Sequence, residues 1–265
     1  MPLIVWIILF CLVGGVLSVL AAALFLVLTE PLRTRMLPHL ISFATGALLG
    51  AAFMGLLPHA LEAPGVTDVH LIPMTVLLGL LGFFLLEKMV IWRHCHADYC
   101  EIHAPGEVHT SGKSSRERSI GALILIGDGL HNFLDGVLIA GAFLTNVHLG
   151  IVTSLAVAAH EIPQEVGDFA LLLHSGYRRG SALFYNVLSS LTTVIGGVLA
   201  YYALSDLQSV LPYVLAVAAS SFIYIAVADL IPTLHQRVEI HATLQQIVLI
   251  AAGVLVIYFT HSTLH

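Results

Sequence analysis

Charge is what this sequence has least of. Asp, Glu, Lys and Arg together make up only 10% of its 265 residues, whereas soluble domains carry about 25%. A water-facing surface for a chain this long cannot be assembled from 10 basic and 16 acidic side chains. So few Lys and Arg also exclude a basic patch, and with it a nucleic-acid partner. Cysteine is equally sparse: Cys11, Cys95 and Cys100 are too few for a disulfide framework. Cys11 reads as a small core residue of an apolar helix. No Gly-rich phosphate cradle opens a helix, so no ATP site is expected in the chain itself.

What fills the sequence instead is apolar. Hydrophobic residues reach 58% and mean hydropathy is +0.96. Eight apolar segments, at 3–28, 38–60, 72–92, 120–144, 150–174, 181–204, 211–231 and 244–260, are long enough to cross a hydrocarbon core of about 30 Å. The expected fold class is an all-α integral membrane protein whose first partner is the lipid bilayer. The first segment is expected to remain as a span and not to be a cleaved signal peptide. It lacks a basic n-region, exceeds the length of an h-region, and is followed by no small-residue cleavage site.

The ten Lys and Arg give an orientation. Arg33 and Arg35 lie between spans one and two; Lys88, Arg93, Lys113, Arg116 and Arg118 at or between spans three and four; Arg178 and Arg179 between five and six; Arg237 between seven and eight. All fall on alternate connections. Because basic residues are retained on the cytoplasmic side, both termini are expected to be extracytoplasmic. The longest connection, 93–119, reads RHCHADYCEIHAPGEVHTSGKSSRERS and is expected to be a polar cytoplasmic loop. The compactness of the other loops favours a prokaryotic inner membrane.

Fifteen histidines outnumber the ten Lys and Arg, and the polar residues inside two spans give that excess a chemical reason. In span four, Asp128, His131 and Asp135 are spaced i, i+3, i+7 and share one helix face, with Asn132 beside them. In span five, His160 and Gln164 are i, i+4, and Glu161, Glu165 and Asp168 are i, i+4, i+7. An Asp at mid-membrane costs about 2.5–3.5 kcal/mol, so five carboxylates facing lipid would cost on the order of 12–17 kcal/mol. That exceeds the roughly 5–15 kcal/mol stability of a typical fold. The two stripes must face each other, a water-filled path or a bound cation. Imidazole with carboxylate suits Zn, Fe and Mn, and the carboxamides of Asn132 and Gln164 are acceptable further ligands. Pro163 removes a helical N–H and leaves the Ala159 carbonyl free to aim into the path.

Blander readings stand beside this one. A lone buried histidine is more often a hydrogen-bonded core residue than a ligand. For Asp128 and Asp168, nearer the helix ends, a structural role is as reasonable as ligation. Asp229 in span seven either lines the path or hydrogen-bonds between helices. His39 and His59 lie near helix ends and read as interfacial. A passive structural membrane protein fails on the cost of the carboxylates. An intramembrane zinc metalloprotease is the runner-up, because HEIPQ approaches the H-E-x-x-H helix motif. Gln164 stands where the second histidine belongs, and Pro163 distorts the helix between the two positions.

HNFLDG, followed about thirty residues later by HEIPQEVGDFALLL, resembles the ZIP (Zrt/Irt-like) divalent metal transporters, most closely those whose fifth span carries HEIPHE. The likeness extends to SFATGALLGAAFMGLLPHAL in span two and SFIYIAVADLIPTLH in span seven. It implies eight transmembrane helices in a 3+2+3 arrangement, with inverted repeats of spans one to three and six to eight around spans four and five. Spans two, four, five and seven would enclose the path, and the protein would be a homodimer. The metal ligands it implies are His131 and Asp135, then His160 and Glu161, with Asn132 at a neighbouring second metal position. Together with Gln164 and Glu165 these make the expected metal set; Asp128, Asp168 and Asp229 line the path or support it. Where the family has a ligand histidine this chain has Gln164, which leaves Fe2+, Mn2+ or Cd2+ open beside Zn2+. The sixth-span stretch LSSLTTVIGG lacks the carboxylate that some bacterial members carry there, which leaves a second metal site in doubt.

In the 93–119 stretch, His94, Cys95, His96, Cys100, His103 and His109 offer thiols and imidazoles on the receiving side. They read either as capture of metal leaving the path, dispensable for transport itself, or as a solvated loop whose histidines do nothing.

Overall fold

The computed structural model describes residues 1–64, 66, 68, 70–94, 113–236 and 239–264, and these form eight helices and no strand. In chain order they are α1 (Leu3–Val27), α2 (Glu30–Leu61), α3 (Leu71–His94), α4 (Lys113–Thr145), α5 (Val147–His174), α6 (Arg179–Leu204), α7 (Leu211–Leu234) and α8 (Ile240–Leu264). Seven are long and apolar enough to cross a bilayer. The exception is α5, which has ample length at 28 residues but carries the polar stripe through its second half.

Helix ends depart from the apolar boundaries read off the sequence. α2 begins at Glu30, where Pro31 in the first turn supplies a preset φ. His39 therefore lies well inside α2, not near its end as expected, and its Nδ1 donates to the Arg35 carbonyl (2.7 Å). α4 begins at Lys113, inside the stretch expected to be loop, and α3 runs on to His94. The cause is the same at each. Hydropathy marks where the bilayer ends, whereas Arg, Glu and Lys are good helix formers that carry the helix beyond it.

Two sets of helices are close-packed through glycine. Between α4 and α6, a Cβ on Gly136 would strike the Thr193 carbonyl, and one on Gly196 would strike the Phe133 carbonyl. Between α2 and α8, Gly46 meets the Ile250 backbone and Gly253 meets the Phe43 carbonyl. Lipid supplies no hydrophobic drive between helices, so this close backbone approach is where their packing attraction comes from. α1 lies against α4, α5 and α6; α5 also packs on α2; and α3 pairs with α7. A continuous apolar core containing Leu56, Phe143, Leu149 and Phe222 joins α2, α4, α5 and α7.

Three helices contain a π-turn: Val13–Leu17 in α1, Ala51–Leu56 in α2 and Ile225–Leu230 in α7. The turns in α2 and α7 sit just ahead of Pro58 and Pro232. A proline has no N–H for the carbonyl four residues back, and the wider i→i+5 loop absorbs that defect without breaking the helix. α5 meets the same problem at Pro163 and remains one α-helix.

Candidate metal centre

α4 and α5 are joined through Asn146 alone, whose side chain accepts from the His148 N–H (2.7 Å) and caps α5. The two helices form an antiparallel hairpin, and the i, i+4 pair His131 and Asp135 meets the adjacent residues His160 and Glu161. The four ligand atoms lie within 4.8 Å of one another. His131 Nε2 is 3.3 Å from His160 Nε2, 3.8 Å from Asp135 Oδ2 and 3.4 Å from Glu161 Oε1. His160 Nε2 is 3.3 Å from Asp135 Oδ2 and 3.6 Å from Glu161 Oε1. Four ligands tetrahedrally placed at about 2.0–2.2 Å from one ion stand about 3.3–3.6 Å apart. The measured separations fall at or just above those edges.

Orientation and burial agree with that geometry. His160 Nδ1 donates to the Ala156 carbonyl (3.1 Å), which fixes the tautomer and leaves the Nε2 lone pair for a ligand. Asp135, His160 and Glu161 are at most 1% exposed, while His131 is 23% exposed and forms the open side of the centre. All four oxygens of Asp135 and Glu161 are buried without a hydrogen-bond partner. Buried carboxylates in that condition call for a compensating positive charge, a cation or a proton. The histidine–carboxylate donor set suits Zn2+ and also accommodates Fe2+ and Mn2+.

The other expected residues are placed differently. Asn132 is turned away from the four, toward α6. Its Nδ2 donates to Asp128 Oδ1 (2.8 Å) and its Oδ1 accepts from Thr193 Oγ1 (2.8 Å). Asp128 also accepts from Ser189 Oγ, so its role in this structure is to tie α4 to α6. Gln164, one turn beyond His160, is half-buried. Glu165 is fully buried with neither oxygen hydrogen-bonded, and Asp168 is half-buried. Asp229 is exposed on the π-turn of α7. Its side chain makes no helix-to-helix hydrogen bond among the described residues. His94 is the last residue of α3; Cys95, His96, Cys100, His103 and His109 lie outside the described residues.

Sequence reasoning missed the α6 contribution. Asn186, Ser189 and Thr193 are buried at i, i+3, i+7 on the face toward α4 and α5, a spacing present in the sequence but carried by common helix residues. It also missed Glu87, a carboxylate inside the third apolar segment that accepts from the Tyr224 hydroxyl.

Fold and site together define a multi-pass helical membrane protein with a histidine–carboxylate centre buried between its central helices. The family model described as ZIP Zinc transporter matches residues 93–261. Zinc transporter ZIP13 of Gallus gallus is 30% identical over 268 residues, covering 84% of this chain and 73% of that protein. Zinc transporter YKE4 of Saccharomyces cerevisiae is 31% identical over 208 residues, covering 73% and 60%. Zinc transporter foi of Drosophila melanogaster is 38% identical over 154 residues, covering 58% of this chain but only 20% of its own length. The chain belongs to the ZIP zinc transporter family. These relatives are eukaryotic, and they give no support to the expectation of a prokaryotic inner membrane.

Proposed function

We propose that this protein carries divalent metal cations, Zn2+ foremost, across a bilayer into the cytoplasm, through a site formed by His131, Asp135, His160 and Glu161. The observation that carries this reading is the convergence of two imidazoles and two unpartnered buried carboxylates from α4 and α5. Its relatives are zinc transporters in each case, which supports the same reading. Gln164, a weaker donor than imidazole, would relax the preference for Zn2+ and admit Fe2+, Mn2+ or Cd2+. The alternating pattern of basic residues supports extracytoplasmic termini, and the resemblance supports inward delivery. The resemblance supports a homodimer, and the thiols and imidazoles of His94, Cys95, His96, Cys100 and His103 support a receiving role for their loop. The protease reading draws no support from the relatives, and Glu161 faces the two imidazoles where a general base would need to face a water.

The test is uptake into proteoliposomes offered Zn2+, Cd2+, Fe2+, Mn2+ or Co2+ in turn. Wild-type protein is expected to take up Zn2+, and His131→Ala to abolish most of it. No flux, or flux indifferent to His131→Ala, overturns the assignment.

A further inference from the structure

At the end of the bundle that the basic residues mark as cytoplasmic, four helix ends meet around a cavity of about 420 Å³. α1 and α5 finish there, and α2 and α6 begin. The lining combines Leu26 and Val27 of α1 and Phe169 and Leu173 of α5 with two guanidinium groups, Arg33 in the first turn of α2 and Arg179 at the start of α6. No acidic residue is among those that line it; Glu30, the acid nearest to Arg33 in sequence, lines a separate hollow with Arg35. The volume is that of a site for a small ligand.

The two arginines are left without counter-charge. Arg33 Nε is buried and has no hydrogen-bond partner. Among the described residues neither guanidinium enters an ion pair or a side-chain hydrogen bond, so the terminal carbonyls of α1 and α5 do not take up their charge. A cation with a buried, unpaired donor loses hydration that nothing in the chain replaces. α6 adds to the same field, because its N-cap residue Arg178 makes no side-chain cap bond. Its first-turn N–H groups are thus open donors at the positive end of a long helix. Fork-shaped cations beside a helix N-terminus are the donor set that phosphate oxygens accept from.

The apolar half of the cavity decides what carries the phosphate. Val27 lines the cavity and is 79% exposed, and Leu24, three residues earlier on the same face of α1, is 72% exposed. The apolar lining therefore continues onto the flank that α1 turns to the hydrocarbon. A free phosphate would satisfy the arginines and leave that lining uncovered. We propose that the cavity binds an anionic phospholipid of the cytoplasmic leaflet. Arg33 and Arg179 hold the phosphate oxygens at the level where arginines meet headgroups, and an acyl chain runs along Leu26, Val27, Phe169 and Leu173. The leaflet concerned is the one rich in anionic lipid. Once bound, the phosphate joins the start of α2 to the start of α6, which the polypeptide does not connect directly. None of the metal-centre residues takes part, so this site and the transport reading stand or fall separately.

The experiment uses the full-length protein purified in a non-ionic detergent and titrated with dioleoylphosphatidylglycerol, dioleoylphosphatidylcholine or inorganic phosphate. Bound lipid is counted by native mass spectrometry, and thermal melting is followed in parallel. Wild-type protein is expected to retain phosphatidylglycerol in preference to phosphatidylcholine and to melt higher with it. Arg33→Gln/Arg179→Gln is expected to weaken phosphatidylglycerol binding at least tenfold, and Arg35→Gln, outside the cavity, to leave it unchanged. Should variants at Arg33 not elute as a folded species, Arg179→Gln at its exposed position is expected to show a loss by itself. Inorganic phosphate is expected neither to displace the lipid nor to raise the melting temperature. Equal retention of the two lipids, retention indifferent to Arg33 and Arg179, an equal loss in Arg35→Gln, or stabilisation reproduced by phosphate alone overturns the proposal.

Discussion

The Nε2 atoms of His131 and His160 lie 3.3 Å apart, while the other nitrogen of His160 is committed to the Ala156 carbonyl. Two imidazoles from different helices thus turn to one point from either side, with Asp135 and Glu161 closing the remaining edges. Removing either imidazole leaves three donors and an uncompensated carboxylate pair. His131→Ala is expected to weaken Zn2+ binding at least about tenfold, equivalent to about 1.4 kcal/mol, as measured by competition with a chelating dye. His160→Ala is expected to cost as much in affinity and also to lower the melting temperature. Its ring is 1% exposed against 23% for His131, so its loss also leaves a cavity.

Gln164→His places an imidazole one turn beyond His160, on the same face of α5. Uptake is expected to shift toward Zn2+ and away from Mn2+, since imidazole discriminates between them more than carboxamide does. Mixed-metal uptake measured by mass spectrometry checks this. An unchanged Zn/Mn ratio would mean that position 164 does not reach the ion.

Protons compete for the same lone pairs. A protonated imidazole cannot ligate, so Zn2+ affinity and uptake are expected to be retained near neutral pH. Both should decline as pH falls and protons displace the ion from imidazole and carboxylate. Uptake measured from pH 5 to 8 at fixed free Zn2+ checks the sign. Uptake that rises with acidity would point to proton-driven coupling instead.

Gly136→Ala drives a methyl group into the Thr193 backbone carbonyl at the α4–α6 contact. A loss of about 1–3 kcal/mol is expected, as for other overpacked sites. Gly82→Ala in α3 meets nothing within 4 Å and is expected to leave stability unchanged or slightly raised, since alanine favours the helix. Thermal melting of the two variants in detergent separates the cases.

The four residues of the centre were legible because their chemistry and spacing point the same way. Carboxylates and imidazoles are too costly in lipid to scatter, and i, i+4 places His131 and Asp135 on one face. The direction of Asn132 was not legible, because a single step turns a helix by about 100°, enough to send its side chain to α6 when both neighbouring helices offer partners. Ser189 and Thr193 left no signal in hydropathy, and Glu87 was hidden by the apolar run on either side of it. The π-turns leave little trace in composition beyond the prolines after two of them. α5 was found by its polar stripe, the same feature that keeps it from meeting a hydropathy criterion as a span.

That last property bears on how the protein is made. A helix carrying His160, Glu161, Gln164, Glu165 and Asp168 partitions poorly into lipid by itself, and only Asn146 separates it from α4. The two are therefore expected to enter the bilayer as one hairpin, polar faces already against each other, with α6 docking afterwards through its glycines and hydroxyls. On that order of events the residues of the centre meet during biosynthesis, before the rest of the bundle closes. Zn2+ present at that moment would act as a folding ligand before it is ever a cargo.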